Sequence, residues 1–109
     1  MDRAVFVYTT FPGIVEAEAA AKVIVERRLA ACANIVPGMI SHYWWQGQVE
    51  RSEEAVAIFK TRVSLAEAVS AAIRELHSYE VPAISVITLE SVDGDYLQWL
   101  LDATKPAAS

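Results

Sequence analysis

The chain has 109 residues, 54% of them hydrophobic, and 14 acidic residues against 9 basic ones give it a net charge of −5. This length and composition predict one domain over residues 1–109 and argue against intrinsic disorder. An acidic chain is a poor partner for nucleic-acid phosphates, and no apolar run reaches the roughly 18 residues that span a bilayer. With no leader-like segment at its start and only one cysteine, the sequence predicts a soluble, cytoplasmic protein that binds neither nucleic acid nor membrane.

The first part of the chain predicts a strand followed by a helix. Residues 3–10 are rich in β-branched and aromatic side chains and are apolar on both faces, which indicates a strand at the centre of a sheet. Residues 14–30 carry apolar side chains at helical spacing, with Ala17, Ala20 and Ile24 on one face. Small alanines allow this helix to lie close to the sheet beneath it.

Two strands joined by a tight turn follow. The first, roughly residues 33–46, contains Pro37-Gly38, and because proline cannot donate to a ladder this pair predicts a bulge or bend. Gln46-Gly47-Gln48 predicts the tip of a hairpin, and residues 55–62 predict the return strand. The hairpin is long enough to project as an arm.

The last part of the chain predicts a helix, a strand and a short final helix. Ser64 and Glu67 have the spacing of a capping box, and the apolar stripe that follows them ends near His77. Asp93-Gly94-Asp95 predicts a turn, and one of its two aspartates can cap the final helix. The remaining predicted ranges are 83–91 for the fourth strand, 96–103 for the final helix and 104–109 for a flexible tail.

The order β-α-β-β-α-β, followed by a helix, predicts an α+β protein with a ferredoxin-like sandwich. Such a fold places its two main helices on one face of the sheet. The strands are nevertheless apolar on both sides, with Ala57 and Phe59 facing one way and Val56 and Ile58 the other. A second apolar face predicts burial against another copy of the chain, and therefore a homo-oligomer.

Few residues point to catalysis. Cys32 has small apolar neighbours and no charged group close in sequence, which favours a buried hydrophobic role over that of a nucleophile. The pair Glu53-Glu54 is explained by a solvated strand end, since nothing places it across a cleft from a second carboxylate. Phosphate-binding, zinc-protease and nucleophile-elbow motifs are absent from the sequence. We therefore expect that the protein is not an enzyme.

Other polar and aromatic residues leave alternatives open. His77, at the end of a helix, is either a structural group at the helix C-terminus or a metal ligand or binding-site donor. Lys60, at the end of its strand, is either solvated or part of an anion site. The run Tyr43-Trp44-Trp45 favours core or subunit packing over a platform for a ligand.

Five segments carry a resemblance to a known family. They are Leu29-Ala30-Ala31-Cys32-Ala33-Asn34-Ile35-Val36-Pro37-Gly38, Ser41-His42-Tyr43-Trp44-Trp45-Gln46-Gly47, Phe59-Lys60-Thr61, His77-Ser78-Tyr79-Glu80-Val81-Pro82 and Tyr96-Leu97-Gln98-Trp99-Leu100. In this order they resemble the CutA family, the divalent-ion tolerance proteins, over about residues 5–101.

The resemblance implies a ferredoxin-like fold and a tight homotrimer in which the hairpin arms reach onto neighbouring subunits. It also implies an architecture similar to that of the PII signalling trimers. The implied role is tolerance to copper and other divalent cations by binding rather than catalysis. Copper or another divalent cation is therefore the only cofactor expected, and no partner protein is identified.

The resemblance carries the family's metal site onto this chain only in part. His77 matches the family's histidine at the end of the second helix. Thr9 stands where the family has a cysteine and Ala83 where it has a glutamate, and neither is a good transition-metal ligand. Cys32 matches a different family cysteine, which looks structural. We therefore expect weak metal binding at His77. The resemblance also predicts a cleft near a subunit boundary, lined by His77, Tyr79, Tyr43, Trp45, Lys60 and Tyr96.

Three functions follow in order of preference. The first is a cytoplasmic, trimeric ion-tolerance protein. The second is a PII-like regulatory trimer that senses a small anionic ligand and docks on a partner, a possibility raised by Lys60 and Arg62. The third is a scaffold whose trimer is itself the function, which predicts no response to small ligands.

Overall fold

A computed structural model describes residues 2–105. The order of elements is strand, helix, two strands, helix, strand and helix, as the sequence predicts. Their bounds are β1 Ala4–Phe11, α1 Ile14–Glu26, β2 Cys32–Trp45, β3 Gln48–Arg62, α2 Ala66–Leu76, β4 Ile84–Thr88 and α3 Gly94–Ala103, with a 3-10 turn at Val63–Leu65 before α2.

The four strands form one antiparallel sheet in the order β2-β3-β1-β4, so that β1 has a partner on each side and lies inside the sheet as predicted. Alternate residues of β1 and β3 are fully buried on one face, among them Val7 opposite Phe59 and Phe11 opposite Ala55. The apolar stripes of α1 and α2 cover this face and complete the core. The core is therefore a single layer of side chains between the sheet and two helices.

The opposite face of the sheet is only partly covered. Leu100 of α3 is fully buried, and Arg62 at the end of β3 donates to the Thr104 hydroxyl at 2.9 Å and to a carbonyl of α3. Val36 and Ile87 on the same face remain 52% and 43% exposed. The second apolar face that the sequence predicts is thus present, with α3 lying over one end of it.

The hairpin of β2 and β3 extends well beyond the core, as predicted. Its register is interrupted between Val36 and Met39, where Gly38 has a φ of 78°, so the predicted bulge lies at Pro37-Gly38. At the tip, Gln46 and Gly47 have φ values of 50° and 82°, which is the backbone of a two-residue type I′ turn.

Three predicted boundaries are wrong. β3 begins at Gln48 rather than at residue 55, because ladder hydrogen bonds to β2 extend the strand through a polar segment. β4 is limited to Ile84–Thr88 instead of 83–91, since its pairing with β1 ends there. α1 ends at Glu26 rather than at residue 30, because Arg28 adopts a φ of 61° and the Leu29 amide turns back to the Ile24 carbonyl at 3.2 Å.

The predicted capping box is also wrong. No side chain from residues 2–105 caps α2. The amide and hydroxyl of Ser64 instead both donate to the carboxylate of Asp2, the amide at 3.3 Å. By contrast, one aspartate of the Asp93-Gly94-Asp95 turn caps α3 as predicted: it is Asp93, which accepts from the Tyr96 amide at 3.3 Å. Thr104, placed in the predicted tail, is 3% exposed and ends α3. Lys105, also in that tail, pairs with Asp102 at 3.2 Å, and residues 106–109 lie outside the described residues.

Candidate functional site

His77 lies at the C-terminal end of α2, where its ring is held on both edges. The imidazole stacks on Phe11 with ring centroids 4.4 Å apart and planes 11° from parallel. Its Nε2 lies 2.5 Å from the Thr10 carbonyl oxygen, and its Nδ1 accepts from the Tyr79 amide at 3.1 Å. The ring thus joins the end of β1 to the segment of residues 77–83, which we call the α2–β4 loop.

Two further residues of the α2–β4 loop bind carboxylates of other elements. The amide and hydroxyl of Ser78 donate to the two oxygens of Glu16 on α1, at 2.8 and 3.0 Å. The Tyr79 hydroxyl donates to Glu54 of β3 at 2.8 Å, and Glu54 is only 9% exposed. Burial, followed by the hydrogen bond to Glu54 and the charge of that carboxylate, raises the pKa of Tyr79 far above its ordinary value of 10.0.

A second cluster forms around Lys60 and Tyr96 on the face covered by α3. The Lys60 ammonium lies 5.2 Å from the ring centroid of Phe6 and 5.8 Å from that of Tyr96. The Tyr96 hydroxyl is 4.0 Å from the thiol of half-buried Cys32, and burial together with that thiol raises the pKa of Tyr96. Within residues 2–105 the ion pairs are Arg62–Asp2 and Lys105–Asp102, so Lys60 has no carboxylate within 4.0 Å.

Within one chain the residues of the predicted cleft do not form a single site. Glu54, which binds Tyr79, and Lys60 are six residues apart on β3, a separation of about 20 Å along a strand. Tyr43 lies on the hairpin, where it accepts from the Ser52 hydroxyl at 3.4 Å and is near enough to Tyr79 for its charge to contribute to the raised pKa of Tyr79. Trp45, next to the hairpin tip, is 42% exposed and belongs to neither cluster.

The other two positions of the family's metal pattern add no strong ligand. Thr9 is fully buried on the face of the sheet that α1 and α2 cover, and its hydroxyl has no hydrogen-bond partner among residues 2–105. Ala83 is exposed at the end of the α2–β4 loop. Among residues 2–105 no group of three or more histidine, cysteine, aspartate or glutamate side chains is arranged to hold a metal ion. With both nitrogens of His77 engaged, the residues of one chain do not fit a transition metal.

Glu54 is buried and bound to Tyr79, so its predicted place at a solvated strand end is wrong. Glu54 directly precedes the buried Ala55 and faces Tyr79, which comes from a distant loop. The sequence places Glu54 directly before an apolar strand, where an unpaired carboxylate is destabilising, and this position alone could have indicated a hydrogen-bond partner. Cys32 was expected to be a buried hydrophobic residue, but it is half-buried and in contact with Tyr96.

None of the helices formed by residues 2–105 is long and apolar enough to cross a membrane. A family model described as "CutA1 divalent ion tolerance protein" matches residues 5–103. The divalent-cation tolerance protein CutA of Pyrococcus horikoshii is 46% identical over 93% of this chain and 98% of its own length. The chloroplastic protein CutA 1 of Oryza sativa is 38% identical over 93% of this chain, which spans only 57% of that longer protein.

The fold agrees with a solved structure at similar identity. The periplasmic divalent cation tolerance protein CutA of Archaeoglobus fulgidus superposes with a TM-score of 0.91 at 36% identity, covering 94% of this chain and 99% of the other. Similar proteins are thus described as chloroplastic and as periplasmic. The predicted cytoplasmic location is therefore wrong as an inference from this sequence, because similar proteins are described from chloroplasts and the periplasm.

Proposed function

Because the chain belongs to the CutA1 divalent ion tolerance protein family, we propose that it serves in tolerance to divalent metal ions, as a homotrimer that binds rather than catalyses. The observation that carries this function is the family match over residues 5–103, with 46% identity to a relative named for divalent-cation tolerance. Copper(II) is the first ion to test.

The fold supports the trimeric and ferredoxin-like parts of this proposal. The strand order β2-β3-β1-β4 leaves β2 and β4 as open edges at opposite sides of the sheet. Open edges are sites at which another chain adds, and joining unlike edges head to tail generates a closed ring when the rotation fits. The apolar face and the exposed aromatic side chains of the hairpin give such a ring apolar surface to bury.

The geometry favours weak cation binding that does not involve a site built inside one chain. Both imidazole nitrogens of His77 are engaged, and Thr9 and Ala83 offer no thiolate or carboxylate. Catalysis is disfavoured because Cys32, the one thiol, contacts a tyrosine hydroxyl and no basic partner that would activate it is hydrogen-bonded to it within the described residues.

Calorimetric titration of copper(II) and zinc(II) into metal-free protein tests this function. We expect at least one ion to bind, with the weak affinity of a site that lacks a full ligand set. No heat with either ion up to millimolar concentration contradicts binding as the mode of action. One ion per trimer indicates a site on the three-fold axis, whereas three ions per trimer fit either a site in each chain or a site at each interface.

A second candidate function is sensing of a small anionic ligand by a PII-like trimer. It is favoured by Lys60, whose ammonium lies among aromatic rings with no carboxylate partner in residues 2–105. A ligand that binds only the folded protein raises its melting temperature. Nucleotides and organic acids should then stabilise the wild type but not Lys60→Met. A Lys22→Met control, at an exposed lysine of α1, should still be stabilised. Equal shifts in all three proteins rule out Lys60 as the anion site.

A further inference from the structure

The α2–β4 loop is attached to the core at three consecutive residues, each bound to a different element. His77 binds the end of β1, Ser78 binds Glu16 on α1, and Tyr79 binds Glu54 on β3. The loop leads directly into β4, an edge strand of only five residues that pairs on one side with β1. The position of this edge strand therefore depends on how firmly the loop is attached.

The hydrogen bonds of His77 determine its protonation and tautomer. A backbone carbonyl can only accept, so the Nε2 that faces Thr10 carries the proton. A backbone amide can only donate, so the Nδ1 that faces Tyr79 presents its lone pair. The ring is consequently neutral with its hydrogen on Nε2, and its one lone pair is already used.

A metal ion binds imidazole through a nitrogen lone pair, so His77 can bind one only if a hydrogen bond to Thr10 or Tyr79 is broken. The stack on Phe11 also disfavours metal binding, because it fixes the plane of the imidazole beneath the loop. The same contacts that make the imidazole a poor ligand make it an effective structural link between β1 and the loop.

We infer that His77 is a positioning residue, which fastens the α2–β4 loop and edge strand β4 to β1, and that it is not a metal ligand of this protein. This role goes beyond the proposed function and does not depend on it, because the protein can bind cations elsewhere or not at all while His77 holds the loop. At the position where the resemblance implies a metal ligand, this chain therefore has a histidine that holds the α2–β4 loop in place.

The wild-type protein tests the tautomer directly. The chain has two histidines, and His42, exposed on the hairpin arm, serves as the internal reference. In nitrogen-15 NMR spectra at neutral pH we expect one ring with a protonated Nε2 and a bare Nδ1, in a single tautomer, and a His42→Ala variant assigns it to His77. Addition of excess zinc(II) should leave the His77 signals in place. A tautomer mixture at His77, or stoichiometric zinc-dependent shifts of its nitrogens, overturns the assignment.

Hydrogen exchange tests whether His77 fastens the α2–β4 loop and β4 to β1. His77→Ala should speed exchange of the Tyr79 amide and of β4 amides by at least about tenfold, in keeping with the loss of local hydrogen bonds, while His42→Ala leaves them unchanged. His77→Gln can keep a donor toward the Thr10 carbonyl but has no acceptor where Nδ1 lies, so its exchange rates should fall between those of His77→Ala and His42→Ala. Equal exchange in the wild type and His77→Ala overturns the role. The zinc titration of the wild type remains decisive should His77→Ala fail to fold, and calorimetry separately reports whether cations bind at all.

Discussion

Thr9 and Thr61 are two fully buried threonines that differ in whether the side-chain hydroxyl is hydrogen-bonded. Both lie on the face of the sheet that α1 and α2 cover. The Thr61 hydroxyl donates to the Leu29 carbonyl at 2.6 Å, whereas the Thr9 hydroxyl has no partner in the described part of the chain. A buried hydroxyl without a partner is destabilising, and valine has almost the same shape without the polar atom. The pair therefore separates the effect of the hydrogen bond from that of the methyl groups.

Thr9→Val should raise the free energy of unfolding by about 1 kcal/mol, because it removes an unsatisfied polar atom. Thr61→Val is the matched control and should lower it by about 1–2 kcal/mol, because it leaves the Leu29 carbonyl without its donor. Urea denaturation of the two variants measures both changes. A loss of stability in Thr9→Val as large as that in Thr61→Val shows that the Thr9 hydroxyl has a partner in solution.

Tyr79 predicts how stability depends on alkaline pH. Its pKa is raised by burial and by Glu54, so the folded state holds the phenolic proton more tightly than the unfolded state. The stability from this residue is complete below the unfolded pKa of about 10 and is lost as the pH rises above it toward the folded pKa. The wild type should lose stability above that pH more steeply than Tyr79→Phe, as followed by thermal unfolding between pH 8 and about 11. Identical slopes contradict the shift.

At the scale of elements, the turn at the hairpin tip requires glycine at position 47, and this requirement can be tested by substitution. Gly47 has a φ of 82° in open space, so an added Cβ meets no atom but forces a left-handed backbone on a side chain. Gly47→Ala should destabilise the protein by about 1 kcal/mol. Gly94→Ala, equally open but without a positive φ, is the control and should change stability little. A similar cost at both positions argues against the type I′ turn.

Elements governed by local chemistry were predictable, whereas those governed by distant partners were not. The bulge at Pro37-Gly38, the turn at Gly47 and the cap at Asp93 depend on residues within a few positions, and all three are present. The capping box at Ser64 failed because Asp2, 62 positions away, binds the same hydroxyl and amide. A single sequence gives no sign of such a competitor.

The same division applies to the candidate site. The sequence identified His77 and Tyr79 through a resemblance, but the groups that determine their chemistry are the Thr10 carbonyl and the buried carboxylate of Glu54. Every residue has a backbone carbonyl, so the sequence does not show which one binds His77. Glu54 reaches Tyr79 only because β3 passes beside the α2–β4 loop. The residues were therefore predictable, while their protonation and their availability as ligands were not.

At the scale of the whole molecule, the long hairpin makes the chain extended. Its radius of gyration is 14.7 Å and its longest dimension is 48 Å. A compact chain of this length has a radius of gyration of about 13 Å. The excess comes with exposed apolar side chains on the arm, including Trp44 at 75% and Val49 at 59%. An isolated chain would leave these side chains in water, which is why the arm is the part of the molecule that most needs a partner.

Light scattering at micromolar concentration should give a mass three times the 12.0 kDa of one chain. Val49→Asp should lower that mass while leaving the far-ultraviolet circular dichroism unchanged, because a charge on the arm is costly only where the arm is buried against a neighbour. Val15→Asp makes the same change on α1 at a residue that is 87% exposed, and should leave the trimer intact. A wild-type mass of one chain contradicts the trimer. A trimer that survives Val49→Asp places the contact on the open face or edges of the sheet instead, so the two variants also locate the interface.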